Sequence, residues 1–238
     1  MIHQPDIKAP FYEIFFSYQG EGLYTGLAQI FVRFAGCNLN CSYCDTAYSI
    51  KVSDKTIYMT PEDLADKVKF LYKKYKKFLS PTPSIAITGG EPLIYADFLK
   101  IFLPKIKKEG FLTYLETNST LPDQLSKIIK FCDIVSMDFK FASDCGKSFW
   151  KEHEQFLKIS KNKAFIKSVI TNKTKIFEIK KAVELINRIS KNTHFIIQLS
   201  TGKDKPKMSS IHTLYSCALK KLPKTHLMTQ IHKIYNIE

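Results

Sequence analysis

The sequence predicts an α/β fold built as a partial, open parallel (βα)6 barrel. Three observations predict it. Short β-branched and aromatic runs alternate with longer helix-patterned runs along the chain. Six such strand runs follow one another, too few to close an eight-fold barrel. Residues with reactive or polar side chains gather just after the strand runs, where parallel α/β sheets keep their sites. No repeat, low-complexity segment or linker divides the 238 residues, so one domain spanning 1–238 is expected.

Each element has its own signal. Residues 29–34 form an aromatic and β-branched strand run. Thr60-Pro61-Glu62-Asp63 starts a helix that runs to about residue 79, with a hydroxyl cap, a first-position proline and acids in the first turn. Residues 84–88 make a short apolar strand that ends at Gly89-Gly90. A helix at 95–108, a strand at 111–116, a helix at 121–130 and a strand at 133–138 follow. Strand 164–170 pairs with helix 175–189, and strand 194–199 with helix 209–219; residues 227–231 offer a last strand.

Composition narrows the class. Hydrophobic residues make up 45%, which fits a globular chain able to bury a core without disulfides, so its six cysteines need another reason. No run of 18 apolar residues suggests a membrane span, and the first residues lack the basic flank and apolar stretch of a secretory signal. A cytoplasmic protein is expected. The net charge is +14, yet of 36 basic residues only Arg33 and Arg188 are arginines. Base readers and phosphate forks rely on the planar guanidinium. The lysine surplus therefore reads as solvated surface, with Lys73-Lys74-Tyr75-Lys76-Lys77 the wet face of a helix, and no direct nucleic-acid partner is expected. Arg33, just before the first cysteine, stands out.

Cys37, Cys41 and Cys44 form Cys-x3-Cys-x2-Cys in a loop with Gly36, Asn38 and Asn40. Three thiolates so close can surround one inorganic centre. A structural zinc site wants four ligands, as does a ferredoxin cubane. Cys132, Cys145 and Cys217 are isolated, read as buried or inert thiols, and the next histidine after the loop is His153. Three ligands leave one iron of a four-iron cluster open to a substrate or cofactor. A zinc site completed from afar stays open as the other reading.

With its aromatic residue at Tyr43, Cys37-Asn38-Leu39-Asn40-Cys41-Ser42-Tyr43-Cys44 resembles the hallmark of the radical S-adenosylmethionine (SAM) superfamily. Thr88-Gly89-Gly90-Glu91-Pro92 is similar to that superfamily's glycine motif, whose exposed amides would bind the methionine amino group. The flanking residues narrow the likeness. Residues 13–22, with Gln19-Gly20-Glu21-Gly22, together with Cys44-Asp45-Thr46, Glu116-Thr117-Asn118 and Gln230-Ile231-His232-Lys233, resemble the 7-carboxy-7-deazaguanine synthase family, from residue 13 to the chain end. The resemblance implies a barrel of radical SAM type with a [4Fe-4S] cluster, SAM and Mg²⁺ as cofactors. It implies ring contraction of 6-carboxy-5,6,7,8-tetrahydropterin by a 5′-deoxyadenosyl radical, with loss of ammonia. It further implies a homodimer served by an electron donor such as flavodoxin.

Residue roles follow from the same likeness. Cys37, Cys41 and Cys44 would hold the cluster and Thr46 the Mg²⁺. Tyr43, Gly90, Ser136, Met137, Asp138, Gln198, Leu199, Ser200 and Thr201 would meet SAM. Tyr18, Gln19, Gly20, Arg33, Thr88 and the terminal Glu238 would meet the pterin, Arg33 through its carboxylate. Two departures mark this chain: Ser136-Met137-Asp138-Phe139-Lys140 stands where the family often has Ser-Pro-Lys, and Gln198-Leu199-Ser200 replaces a proline-containing turn. Two rival readings are a radical SAM activase that installs a glycyl radical on a partner protein, and a non-catalytic RNA binder with a structural metal.

Overall fold

In the computed structural model, which describes residues 7–235, the aromatic-rich segment Ala9–Tyr18 forms strand β1. It pairs antiparallel with β2 (Ala28–Phe34) on one side and with the short β3 (Ile57–Met59) on the other. Beyond β2 every pairing is parallel. β4 (Ser84–Gly89), β5 (Leu112–Thr117), β6 (Ile134–Asp138), β7 (Ala164–Ile170), β8 (Phe195–Leu199) and β9 (Thr225–Met228) lie side by side in chain order. The sheet runs β3-β1-β2-β4-β5-β6-β7-β8-β9, and β3 and β9 do not pair with each other, so the barrel is open. No helix among the described residues is long and apolar enough to cross a membrane.

The crossover helices are α1 (Pro61–Tyr75), α2 (Ala96–Lys108), α3 (Pro122–Ile128), α4 (Ala142–Cys145), α5 (Trp150–Ser160), α6 (Ile176–Ser190) and α7 (Met208–Leu219); α8 (Ile231–Tyr235) follows β9. The start signal read for α1 is a full capping box: Asp63 N–H donates to Thr60 Oγ1 (3.2 Å), and Thr60 N–H donates to Asp63 Oδ2 (3.1 Å). Such a cap contributes about 0.5–2 kcal/mol. The α1 helix ends at Tyr75 and α3 at Ile128, each continuing as one 3-10 turn. The segment between β6 and β7, to which sequence patterning gives no helix, folds as α4 and α5. The α5 N-cap is Phe149, with no side-chain cap, and its buried face mixes His153 and Ser160 with Phe156 and Leu157. Neither the start signal nor the apolar stripe is clean there. Strands β1 and β3 escape the βα pattern because they are the antiparallel edge, and β3 is three residues with exposed or half-buried side chains.

Period-two alternation gives the sheet two different faces. Ile30, Val32, Phe34, Ile85, Ile87, Leu115, Val135, Met137, Ile166 and Ile197 point to the helices and join the main core. The other face is split along the strands. Phe31, Ala86, Tyr114, Phe165 and Ile196 form a separate apolar plug near the amino ends. Two residues further along the same strands come Arg33, Thr88, Glu116 and Lys167, and two beyond Ile134 comes Ser136. One strand repeat thus converts an aromatic floor into a polar tier.

Above that tier the ends of β2 and β4 approach without room for side chains. Gly89 has φ 133°, and a Cβ there would lie 2.3 Å from Phe34 O. A Cβ on Gly90 would lie 2.1 Å from Gly36 O and 2.9 Å from Ser49 O. The two contacts at Gly90 are to backbone, which cannot swing aside. Gly90→Ala is therefore expected to destabilise the fold by about 1–3 kcal/mol or more. In thermal unfolding that lowers Tm by about 2–4 °C per kcal/mol; an unchanged Tm would contradict this packing.

Candidate functional site

The polar tier and the loops at the carboxyl ends of the strands enclose a cavity of about 350 Å³. Cys37, Cys41 and Cys44 all line it. Their loop is fastened by Gly36 N–H to Ser49 O (2.8 Å), Cys37 N–H to Ile50 O (2.9 Å) and Ser42 N–H to Asp144 O (3.1 Å). The end of β5 supports it from the side: Asn118 Nδ2 donates to Asn38 Oδ1 (2.8 Å) and to Cys37 Sγ (3.9 Å). A fourth sulfur is also present. Cys145, at the end of α4, lies 3.0 Å from Cys41 Sγ. Sequence spacing left Cys145 isolated; the β6–α4 connection delivers it. Its hydrogen bond, opposed by burial, draws Cys41 down to about 7, while burial pushes Cys37 up to about 11.

Lys140 supplies positive charge next to these thiols. Its Nζ donates to Asp138 Oδ2 (2.8 Å) and Tyr43 OH (3.2 Å) and lies over the Tyr43 ring. Burial works against its charge, but Asp138 outweighs it and keeps the lysine protonated. Thiols on one cavity, a buried cation beside them and an amide donor to one sulfur fit a thiolate-bound iron–sulfur cluster. Asp138 Oδ1 is buried, lines the same cavity and has no partner among the described residues. That acceptor fits a hydroxyl- or ammonium-bearing ligand such as SAM.

The glycine motif is placed differently from its sequence reading. The Gly90 amide donates to Phe34 O (3.0 Å) and the Glu91 amide to Gly36 O (2.8 Å). These amides are spent inside the protein, and an ammonium group needs acceptors, so amide binding of the methionine amino group is corrected. Glu91, fully buried, ties the motif to β5. It accepts from Leu93 N–H (3.0 Å), Thr117 Oγ1 (2.7 Å) and Asn118 N–H (2.7 Å). Burial pushes its carboxyl up to about 7 against those bonds.

Deeper in the cavity, Glu116 joins two elements. It accepts from Gln19 Nε2 (2.7 Å) through Oε1 and from Thr88 Oγ1 (2.7 Å) through Oε2. Gln19 also donates to Gln29 Oε1 (3.2 Å). Arg33 lines the cavity, pairs through Nε with Glu13 Oε1 (2.5 Å) and stacks over Phe15. A second charged group closes the rim. Lys167, in mid-strand, pairs with Glu21 and reaches toward Asp138 (3.6 Å). Glu21, Asp45 and His232 each offer one ligand atom, all within 4.8 Å of one another. Burial pushes the Asp45 carboxyl up, but a hydrogen bond from His232 and the charge of Lys233 hold it well below the carboxylate range.

Most residues singled out in the sequence meet here. Tyr18, Gly20, Tyr43, Thr46, Ser136 and Ser200 line the cavity with those already named. Met137 faces the helix side and is fully buried in the core, as strand alternation requires. Gln198 is buried, outside the cavity lining, with both side-chain polar atoms unpartnered among the described residues. Leu199 is half-buried, and exposed Thr201 donates to Gln230 Oε1 (2.8 Å). Glu238 lies outside the described residues. Neither Lys140 nor Lys167 was given a role from the sequence; Lys167, inside a mostly apolar parallel strand, carries a signal of its own, whereas Lys140 follows the end of β6.

Comparison with known proteins agrees with this geometry. The family model for the radical SAM superfamily matches residues 31–196. A 7-carboxy-7-deazaguanine synthase from Geobacter sulfurreducens is 35% identical over 236 residues, covering 90% of this chain and 94% of the relative. One from Archaeoglobus fulgidus is 33% identical over 240 residues, covering 97% and 100%. The crystal structure of QueE from Escherichia coli shares the fold, with a TM-score of 0.64 at 21% identity over 94% of this chain and 95% of that one. With three cysteines on one cavity and full-length likeness to these relatives, the chain belongs to the radical SAM superfamily and, within it, to the 7-carboxy-7-deazaguanine synthase family.

Proposed function

We propose that this chain converts 6-carboxy-5,6,7,8-tetrahydropterin into 7-carboxy-7-deazaguanine with loss of ammonia, as a carbon–nitrogen lyase of queuosine and deazapurine biosynthesis. One observation carries the reading: the three cysteines share a cavity with Arg33 and the Gln19–Glu116–Thr88 network. A radical source and a binding site for a small polar heterocycle therefore face each other. When bound, the [4Fe-4S] cluster and SAM supply one-electron chemistry that begins with abstraction of a substrate hydrogen. The activase reading finds no support in the full-length relatives, and the RNA-binder reading does not account for the buried polar tier.

The protein's own residues position and shield. Cys37, Cys41 and Cys44 hold the cluster. Tyr43, Gly90, Ser136, Asp138 and the β8 end with Ser200 embrace SAM, Asp138 through its free oxygen. Met137, Gln198, Leu199 and Thr201 act by shaping those strand ends. Arg33 receives the substrate carboxylate as a planar fork, held at the right angle by Glu13 and Phe15. Gln19 and Glu116 offer both donor and acceptor to the pterin edge, with Thr88, Tyr18 and Gly20 around it. Thr46 and Asp45 present oxygen to Mg²⁺, a cation that prefers such ligands. Free thiols at the site suit a reducing cytoplasm. We further assign the whole chain to one radical SAM domain, acting as a homodimer with a flavodoxin-type electron donor.

The direct test is an anaerobic assay of the carboxy-tetrahydropterin with SAM and reductant, followed by ultraviolet absorbance of the deazapurine product. Turnover is expected; no product would sink the reading. Cys41→Ala is expected to lower iron from about four per chain to near none and to abolish the brown colour and SAM cleavage; a variant that keeps both means the cysteine assignment is wrong. Arg33→Ala is expected to raise KM for the pterin about 10- to 100-fold, the loss of a charge-assisted hydrogen bond. SAM cleavage without substrate persists in that variant, and equal loss of both activities would contradict the division of roles.

A further inference from the structure

Cys145 has no part in the reading above, yet its sulfur touches that of Cys41 at 3.0 Å although the two residues are 104 positions apart. The contact is built, not incidental. Ser42 N–H donates to Asp144 O (3.1 Å), and Ser42 Oγ donates to Asp144 Oδ1 (3.0 Å). Asp144 is buried and also accepts from Thr171 Oγ1 (3.1 Å). The residue after Cys41 is thus stitched to the residue before Cys145. Both cysteines are half-buried, within reach of a small oxidant. Cys132, by contrast, is sealed in the core with its thiol turned to Ile128 O (3.6 Å).

We propose that Cys41 and Cys145 close to a disulfide whenever the chain is without its cluster, forming a reversible oxidative-modification site on a cluster ligand. The oxidant is a peroxide. Cys41 sulfur attacks the O–O bond and becomes a sulfenic acid, with release of one water. Cys145 sulfur then displaces the hydroxyl as a second water, and the Sγ–Sγ bond forms. Two thiols lose two electrons and two protons, and one hydrogen peroxide becomes two waters. The geometry needed is small: the sulfurs close from contact to about 2.05 Å on backbones already held together. The consequence is protective. A lone ligand thiol climbs to sulfinic and sulfonic acid, which thiol reductants do not reverse, whereas a disulfide is recovered by reduction.

The test uses the full chain freed of iron by chelation. After hydrogen peroxide treatment and blocking of free thiols, non-reducing digestion and mass spectrometry are expected to show the Cys41 peptide joined to the Cys145 peptide. Recovery of Cys41 as sulfinic acid, or joined to Cys37 or Cys44, would overturn the proposal. A second portion is reduced with a phosphine and given ferrous iron and sulfide without oxygen. The unmodified sequence is expected to regain the iron content of untreated protein. Cys145→Ser takes up the same iron before peroxide and several-fold less after it. Equal recovery by both proteins, or a Cys145→Ser chain that takes up no iron even untreated, overturns the protective role. The iron result rests on Cys41 being a cluster ligand; the cross-link does not, so the two ideas fail separately.

Discussion

At the carboxyl ends of β2 and β4 the two backbones approach so closely that no side chain fits between them, and a buried carboxylate ties the junction to the end of β5. Gly89 and Gly90 let the end of β4 lie against Phe34 and Gly36, and the carboxyl of Glu91 gathers the amides of Leu93 and Asn118 and the hydroxyl of Thr117. Gly36 leads directly into Cys37, and Asn118 reaches back to that cysteine's sulfur. The start of the cysteine loop is therefore tied to this junction. Its position is the position of a backbone junction, and the buried carboxylate at the junction is satisfied by three donors, the usual condition for tolerating such a group inside a protein.

Below the junction the same strands set out the chemistry by simple alternation. Phe31, Tyr114 and Phe165 seal the floor, and the next residues on that face are Arg33, Glu116 and Lys167. The three cations around the tier each meet a carboxylate: Arg33 meets Glu13, Lys140 meets Asp138, and Lys167 meets Glu21. Paired charges of this kind hold their places, whereas a lone one would be expelled or neutralised. The tier presents both signs and both hydrogen-bonding senses in one walled space, which suits a zwitterionic cofactor beside a carboxylated heterocycle.

Much of this was legible in the sequence because its causes are local. The α1 cap, the strand that stops at Gly89-Gly90 and the spacing of Cys37, Cys41 and Cys44 each carry their reason within a few residues. What escaped depends on distance or on register. Cys145 reaches Cys41 only once β6 lies three strands from β2 in the sheet. The Glu21–Asp45–His232 group joins three remote segments of the chain. The family likeness placed Met137 with Ser136 and Asp138 at SAM, although strand alternation sends it to the opposite face. The amides of Gly90 and Glu91 looked exposed in the motif, but the β2–β4 approach consumes them.

The central claim is that three cysteine sulfurs, and not four, hold the cluster, so that one iron faces SAM. The most direct measurement is electron–nuclear double resonance on the reduced, anaerobically reconstituted protein, with SAM isotopically labelled in its amino and carboxylate groups. The account predicts hyperfine coupling between the cluster and both labels. A cluster that shows no coupling and carries four cysteine sulfurs, Cys145 among them, would contradict it.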